Sequence, residues 1–148
     1  MNPKNLRVFL DTSVLFAAVL SPTGGARMIF RLGEIGLIKL VIGPSVLREA
    51  DEVVRRKIPA SLPGLAHLLA VGRVEVGEPA LAEYLKQATN YVHYSPDARV
   101  LAEALRAAPD WFITHDQEHF LKEKGLECLP FKVGTPGDVL QYLRYNLG

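Results

Sequence analysis

Short apolar segments alternate with helical patterns along this chain, and the alternation limits the possible folds more than any other feature. Apolar, β-prone stretches are typical of buried strands. They occur at residues 6–10, 37–42, 73–76, 111–114 and 126–129. Helical patterns occur at residues 14–20, 26–35, 45–57, within 59–71, and at 78–88, 98–107, 116–124 and 136–145. Because strands joined by helices pair in parallel, the sequence predicts an α/β fold with a parallel sheet covered on both faces.

Size and composition predict a single domain. The chain has 148 residues, and a domain of this length buries enough surface to fold without disulfides or a structural metal. No repeat or linker divides it, so we expect one domain over residues 1–148. Its single cysteine, Cys128, excludes an internal disulfide, and its place in a predicted strand favours a buried, inert thiol.

Charge and hydropathy limit the binding partners and the cellular location that we expect for the protein. The formal net charge of +1 comes from 17 Lys and Arg against 16 Asp and Glu. This balance argues against binding nucleic acid through bulk charge, but it leaves local patches open. The apolar run at residues 14–20 has seven residues, whereas ~20 are needed to span a bilayer. We therefore expect a cytoplasmic protein with no membrane partner.

Four acidic residues lie at the ends of predicted elements or on a neighbouring helix. Asp11 follows the first strand, Asp116 follows the strand at residues 111–114, and Asp97 opens the helical pattern at residues 98–107. Glu49 lies within the third helix. Ligands of open α/β sheets bind outside the carboxyl ends of the strands. If the first strand and the strand at 111–114 are neighbours, these carboxylates face one crevice.

Acids that converge in a crevice indicate a divalent cation, because they repel one another without one. Oxygen ligands favour Mg²⁺ or Mn²⁺ over zinc. Such an ion holds phosphate, activates a water and stabilises the charge on the leaving oxygen. Thr12, Ser13 and Thr114 add hydroxyls for hydrogen bonds to water or phosphate. This combination predicts a phosphodiester site.

Each acid taken alone has a simpler interpretation. Asp11 and Asp116 are suitable caps for the helices that follow them, and Asp97 complements the dipole of its helix. Glu49 belongs to a charged run at residues 48–52 that is typical of a solvated helix face. Only the combination of the four favours a metal site.

The same combination resembles the PIN-domain family of metal-dependent ribonucleases. The matching segments are residues 8–15 (VFLDTSVL), 44–49 (PSVLRE), 97–104 (DARVLAEA) and 110–116 (DWFITHD), followed by Phe120 and Leu121. The resemblance covers about residues 6–130. It implies a three-layer α/β/α fold with a mainly parallel sheet and an acidic Mg²⁺ or Mn²⁺ site that cleaves single-stranded RNA.

The resemblance also assigns roles to residues. The acids that bind metal and act in catalysis fall on Asp11, Glu49, Asp97 and Asp116, with Thr114 as a hydroxyl near the last. Glu118 falls where some relatives carry an additional Asp, so it is expected to support the site from farther out. Many small members are VapC-like toxins, which implies RNA as substrate, a cognate antitoxin as partner, and a homodimer. The turn at residues 21–25 is similar to that of a subgroup whose members are less firmly established as toxins. RNA cleavage is therefore the better-supported expectation, and toxicity the less supported one.

Other functions compete with this interpretation. Residues 115–119 spell H-x-x-E-H, the string of inverted zinc peptidases, but His115 falls at a predicted strand-to-helix turn instead of on a helix face. The four acids would also suit a structure-specific DNA nuclease, and a catalytically idle fold would act as an RNA- or protein-binding module. The basic residues at positions 27, 31, 39, 48 and 55–57 would hold RNA phosphates if they flank the crevice, and otherwise form solvated faces.

Overall fold

One parallel sheet organises the fold. A computed structural model describes residues 6–116, 120 and 125–147 of the chain. Within them, the strands are β1 (Arg7–Leu10), β2 (Lys39–Ile42), β3 (Glu75–Val76), β4 (Trp111–Ile113) and β5 (Lys132–Gly134). They pair in parallel in the order β3-β2-β1-β4-β5. The prediction of a parallel sheet is confirmed.

Helices cover both faces of the sheet in a three-layer α/β/α arrangement. In the described residues they are α1 (Thr12–Leu20), α2 (Gly25–Glu34), α3 (Pro44–Lys57), α4 (Leu62–Val71), α5 (Ala82–Ala88), α6 (Ser95–Ala107) and α7 (Pro136–Leu147). Proline lies in the first turn of α3, α4 and α6, where its fixed φ suits a helix and its missing N–H costs no hydrogen bond.

The core lies along the central strands. Val8, Phe9 and Leu10 of β1 are fully buried, as is Phe112 of β4. Burial of consecutive residues is expected where helices cover both faces of a parallel sheet. The rings of Phe9 and Phe112 stack with their centroids 5.7 Å apart. Each such side chain contributes about 1.5–3 kcal/mol of burial free energy, which makes β1 and β4 a rigid base for residues at their carboxyl ends.

The strand order defines where a crevice forms. From β1, the chain builds outward through β2 and β3 on one side, whereas β4 and β5 lie on the other. The direction of building therefore changes between β1 and β4, and crevices of open α/β sheets form at such a switch point, outside the carboxyl ends of the strands. Leu10 pairs with Ile113 at these ends. The condition that the two acid-bearing strands are neighbours is met.

Two predictions near the C-terminal part of the chain are wrong. The apolar segment at 126–129 is a 3-10 turn at Leu126–Cys128, and the strand follows at Lys132–Gly134. Leu126 and Leu129 are buried as loop residues, so their hydrophobicity reflects core packing without strand pairing. Cys128 is exposed, contrary to the buried thiol that was expected. The predicted helix at 116–124 lies mostly outside the described residues.

No single helix among the described residues is long and apolar enough to cross a membrane. The pair α1 and α2 satisfies the requirements of length and composition together, but the two helices are bent by 95° at their junction.

Candidate active site

The residues that follow β1 and β4 meet at the switch point of the sheet. Asp11 directly follows β1, and its backbone N–H donates to the Ile113 carbonyl over 3.0 Å. Thr114 directly follows β4, and its backbone N–H donates to the Gly134 carbonyl of β5 over 2.9 Å. Parallel pairing therefore continues past the strand ends and fixes the Asp11 and Thr114 side chains side by side.

A network of hydroxyl groups holds the Asp11 carboxylate. Its Oδ2 accepts the Thr114 hydroxyl at 2.7 Å and the Ser13 hydroxyl at 3.0 Å. Each hydroxyl oxygen also accepts a backbone N–H, from Asp116 to Thr114 and from His115 to Ser13, both at 2.9 Å. These bonds fix the turn after β4 against the start of α1. Two of the predicted supporting residues, Ser13 and Thr114, are thus placed beside the predicted acid.

The electrostatic setting of Asp11 disfavours its charge. Asp11 is 7% exposed, and burial raises the pKa of its carboxyl above the usual value. Hydrogen bonds from Thr114, Ser13 and the Thr12 backbone lower this pKa in part, and the nearby Asp116 carboxylate raises it. No Lys, Arg or His in the described ranges forms an ion pair with Asp11. An ionised Asp11 therefore has uncompensated charge that a bound cation would neutralise.

Asp11 also occupies the position that precedes α1, but it does not act as a helix cap. The structure records no side-chain cap hydrogen bond at this helix. The simpler interpretation of Asp11 as an N-cap residue therefore accounts for its position in the chain and leaves its side-chain contacts unexplained.

Glu49 reaches the same region from α3. Its side chain is exposed, as the interpretation of a solvated helix face requires, yet its Oε2 accepts the hydroxyl of Thr12 over 3.0 Å. Thr12 is the first residue of α1 and is 5% exposed. The third predicted supporting hydroxyl thus connects Glu49 to the residue next to Asp11.

Asp97 lies in the first turn of α6, as the sequence predicted. The side chain is half-buried. Because α6 leads into β4 at the amino edge of the sheet, its first turn lies toward the carboxyl edge, where the other acids are. An acid in this turn also complements the helix dipole, so both interpretations of Asp97 fit its position.

The segment after β4 carries the remaining candidates. Asp116 is half-buried and close enough to Asp11 to affect its pKa. Glu118 lies outside the described residues, as does His119 of the H-x-x-E-H string. His115 is exposed beyond the end of β4. The ligand roles of the four acids and the supporting role of Glu118 stay predictions.

The donor set fits a hard divalent cation. Carboxylates and hydroxyls supply only oxygen, which suits Mg²⁺ or Mn²⁺, and burial raises the pKa of Asp11, so a cation beside it would favour the ionised carboxylate. Within residues 6–116, 120 and 125–147, no three His, Cys, Asp or Glu side chains are grouped closely enough to hold one metal ion. Mg²⁺ commonly binds through one or two carboxylates and keeps several waters, so a pair of acids is a sufficient protein contribution.

Sequence reasoning missed one acid near these residues. Glu103 of α6 is 3% exposed, more deeply buried than Asp11, and it contacts Ser45 at the start of α3. A signal was present in the sequence, because Glu103 is a lone acid flanked by Leu101, Ala102, Ala104 and Leu105.

The basic residues considered for RNA contact divide into two groups. Arg27 donates its guanidinium to the Ala18 carbonyl at 2.9 Å, and Arg55 pairs with Asp51 one turn earlier at 3.0 Å. These two side chains are engaged within the protein. Arg48 is exposed on the same helix as Glu49, so it remains a candidate for phosphate contact.

Comparison with known proteins identifies the fold. No protein-family model matches the chain, and no curated protein matches it. Among solved structures, VapBC2 from Rickettsia felis, bound to a DNA fragment from its promoter, is 14% identical with a TM-score of 0.67. The match covers 86% of this chain and 97% of that one. VapC20 of Mycobacterium tuberculosis, a sarcin–ricin loop cleaving toxin, is 18% identical with a TM-score of 0.52, over 75% of this chain and 91% of that one.

These likenesses show that the chain has the fold of VapC toxins. The PIN-like α/β/α architecture that the sequence motifs implied is therefore confirmed.

Proposed function

We propose that this protein is an Mg²⁺- or Mn²⁺-dependent endoribonuclease that hydrolyses phosphodiester bonds of single-stranded RNA. One observation carries the proposal. A buried aspartate with a raised pKa lies beside a second aspartate at the switch point of the sheet, held by hydroxyls and by no described cation. Acids kept in this costly setting are typical of functional sites, and the fold is that of a known RNA-loop-cleaving toxin.

The four acidic residues would have different roles toward the ion. Asp11 and Asp116 would hold the ion, because they are the two acids that interact across the end of the sheet. Asp97 would bind it from α6, and Glu49 would complete the site from α3, directly or through water. When bound, the ion supplies an activated water and offsets the charge on the scissile phosphate.

The hydroxyls would fix the geometry of the acids. Thr114 and Ser13 both donate to the same Asp11 oxygen, which restricts rotation of the carboxylate. Thr12 restrains Glu49 in the same way. Groups that are ordered before substrate binds need no reorganisation during the reaction.

We further propose the biological setting that the structural neighbours indicate. VapC20 is a toxin, and VapBC2 was solved on promoter DNA. By this likeness the chain would be the toxin of a toxin–antitoxin pair, with an antitoxin as protein partner. RNA as substrate, a homodimeric state and a cytoplasmic location complete the proposal. We also propose that residues 1–148 form one domain.

Cleavage of defined RNAs tests the proposed activity. Purified protein is incubated with a single-stranded RNA, a sarcin–ricin loop RNA and a single-stranded DNA of matched sequence, each with Mn²⁺ or EDTA. We expect cleavage of RNA in Mn²⁺, none in EDTA, and none with Asp11→Asn. Asp110→Asn is the matched control, because Asp110 accepts a backbone N–H at the opposite edge of the sheet.

Three results would point elsewhere. Cleavage of DNA in preference to RNA would favour the DNA nuclease. Binding of RNA without cleavage, together with no uptake of Mn²⁺, would favour the idle binding module. Cleavage at the wild-type rate by Asp11→Asn would remove Asp11 from the site.

A further inference from the structure

A buried carboxylate outside the four predicted acids joins the helices that carry Glu49 and Asp97. Glu103 lies on α6 and is 3% exposed, although acids are among the residues least often buried. Its Oε1 accepts the backbone N–H of Ser45 over 2.9 Å, and its Oε2 accepts the Ser45 hydroxyl. Both oxygens of this acid are thus used on one residue of α3.

The contact lies at the first turn of α3, where backbone N–H groups lack an acceptor within the helix. Ser45 is in the first turn of α3, where N–H groups have no partner within the helix and the helix dipole is positive. No side chain of the preceding residue caps this helix, because that residue is Gly43. Glu103 therefore provides the carboxylate of an N-terminal cap from a different helix.

Gly43 allows Glu103 to come this close. A Cβ at residue 43 would lie 2.8 Å from the Glu103 Cβ and still closer to its carboxylate, which is nearer than real Cβ atoms approach. Ser, Thr, Asp and Asn are the usual residues at such a position. The chain has glycine instead, and the cap comes from 60 residues farther along.

The same contact fixes the relation between two candidate acids. Glu49 follows Ser45 by four residues, so the two lie on the same side of α3, one turn apart. Asp97 lies on α6, the helix that carries Glu103. A movement of the first turn of α3 against α6 would move Glu49 relative to Asp97.

We propose that Glu103 is a positioning residue that holds the first turn of α3, and with it Glu49, in place against α6. This inference rests on the proposed nuclease function. Glu103 acts through Ser45 and touches neither substrate nor metal. A displacement of about 1 Å in a catalytic group costs up to about 100-fold in rate, so a fixed helix start has a direct effect on turnover.

Glu103→Gln tests the positioning role with little change of shape. The amide keeps one acceptor for Ser45 but loses the charge and one acceptor oxygen. We expect kcat for RNA cleavage to fall on the order of tenfold with KM nearly unchanged, because substrate contacts stay intact. Asp110→Asn removes a comparable carboxylate from a backbone N–H at the opposite edge of the sheet, and we expect kcat to stay within about twofold.

Measuring Glu103→Gln in the background of Glu49→Gln distinguishes a positioning role from a general loss of stability. If Glu103 acts through Glu49, then Glu103→Gln has no further effect once Glu49→Gln has removed that side chain's charge. The double variant should therefore cleave within about twofold of Glu49→Gln alone. Equal losses of kcat in the two backgrounds would overturn the role.

Hydrogen exchange provides a readout that does not depend on activity. In Glu103→Gln, we expect amides of residues 45–49 to exchange on the order of tenfold faster, with those of α7 unchanged. Ser45→Ala keeps its backbone N–H and loses only the hydroxyl, so the same amides should speed up less. This variant also serves if Glu103→Gln does not fold.

The outcomes distinguish the inference from the proposed function. Unchanged exchange at residues 45–49 in both variants would overturn the positioning role whether or not RNA is cleaved. If the wild-type protein cleaves no RNA and takes up no Mn²⁺, the proposed function fails. The exchange rates then test the positioning role by themselves. Faster exchange at residues 45–49 would still indicate that the contact between Glu103 and Ser45 holds the start of α3, and Glu49 with it, in place.

Discussion

Acidic residues toward the two edges of the sheet have different partners. Toward the amino edge, the Glu75 carboxylate pairs with Arg7 and Lys39, the first residues of β1 and β2, with N–O distances of 3.8 and 3.7 Å. At the carboxyl edge, Asp11 is held by hydroxyls, and no described Lys, Arg or His pairs with it. Among the described residues, the chain thus supplies basic partners for Glu75 and none for Asp11.

The difference distinguishes an edge with ordinary ion pairs from the edge that we propose to be functional. Exposed ion pairs such as those of Glu75 contribute little free energy and require no ligand. A buried carboxylate whose pKa is raised is costly to ionise, and a cation bound from solution would offset that cost. The carboxyl edge is therefore where a divalent ion and a phosphate have a physical reason to bind.

The largest expected effect follows from neutralising Asp11. Asp11→Asn should reduce RNA cleavage in Mn²⁺ by at least about 100-fold, since loss of an active-site electrostatic group costs this much. In EDTA, its free energy of unfolding should equal or exceed that of the wild-type protein by about 1 kcal/mol, because a buried charge is removed. Cleavage assays and urea unfolding measure the two effects. A variant that is both inactive and strongly destabilised would place Asp11 among structural residues.

Removing the Thr114 hydroxyl should weaken both fold and site. Thr114 is fully buried and bonds to Asp11 and to the backbone N–H of Asp116. Thr114→Val should lower the free energy of unfolding by about 1–3 kcal/mol, since the buried Asp11 carboxylate loses a hydrogen-bond donor. It should also raise the pKa of Asp11 further and reduce Mn²⁺ affinity. Urea unfolding measures the stability, and titration calorimetry measures the Mn²⁺ affinity. If neither changes, the hydroxyl network does not support the site.

The pH dependence of stability should reveal the charge at the carboxyl edge. The pKa of Asp11 is raised in the folded protein, so its contribution to stability is fully present below the ordinary value of 3.8 and is lost as pH rises through the folded pKa. In EDTA, the stability of wild type relative to Asp11→Asn should therefore decline as pH rises above this ordinary value. Mn²⁺ should reverse the decline. A relative stability that is flat with pH, in thermal unfolding, would contradict the raised pKa.

The smallest effect is expected at the amino edge. Glu75→Gln removes both exposed ion pairs and should change the free energy of unfolding by less than about 1 kcal/mol. RNA cleavage should be unchanged, because the Glu75 carboxylate pairs with the first residues of β1 and β2, whereas Asp11 and Asp116 follow the carboxyl ends of β1 and β4. A loss of cleavage comparable to that of Asp11→Asn would abolish the distinction between the edges.

The sequence predicted those parts of the site that depend on strand ends. Asp11 directly follows the first predicted strand, and Thr114 ends the strand predicted at residues 111–114. Their meeting therefore required only that the two strands be neighbours, and the register confirms that they are. The first-turn position of Asp97 was likewise readable from the Ser-Pro-Asp start of its helix.

Contacts between helices were not predictable in the same way. The bond from Thr12 to Glu49 and the burial of Glu103 depend on how α1, α3 and α6 pack, and periodicity identifies a helix face without its partner. The wrong strand at residues 126–129 has a related cause. A three-residue edge strand is selected by pairing with β4, not by the propensity of its own residues.

Binding of Mn²⁺ measured by titration calorimetry tests the central claim most directly. The wild-type protein and Asp110→Asn should bind the ion with similar affinity, and Asp11→Asn should bind it at least about tenfold more weakly. If the wild-type protein takes up no Mn²⁺, or if Asp11→Asn binds it as tightly as the wild-type protein does, the carboxyl edge is not the metal site.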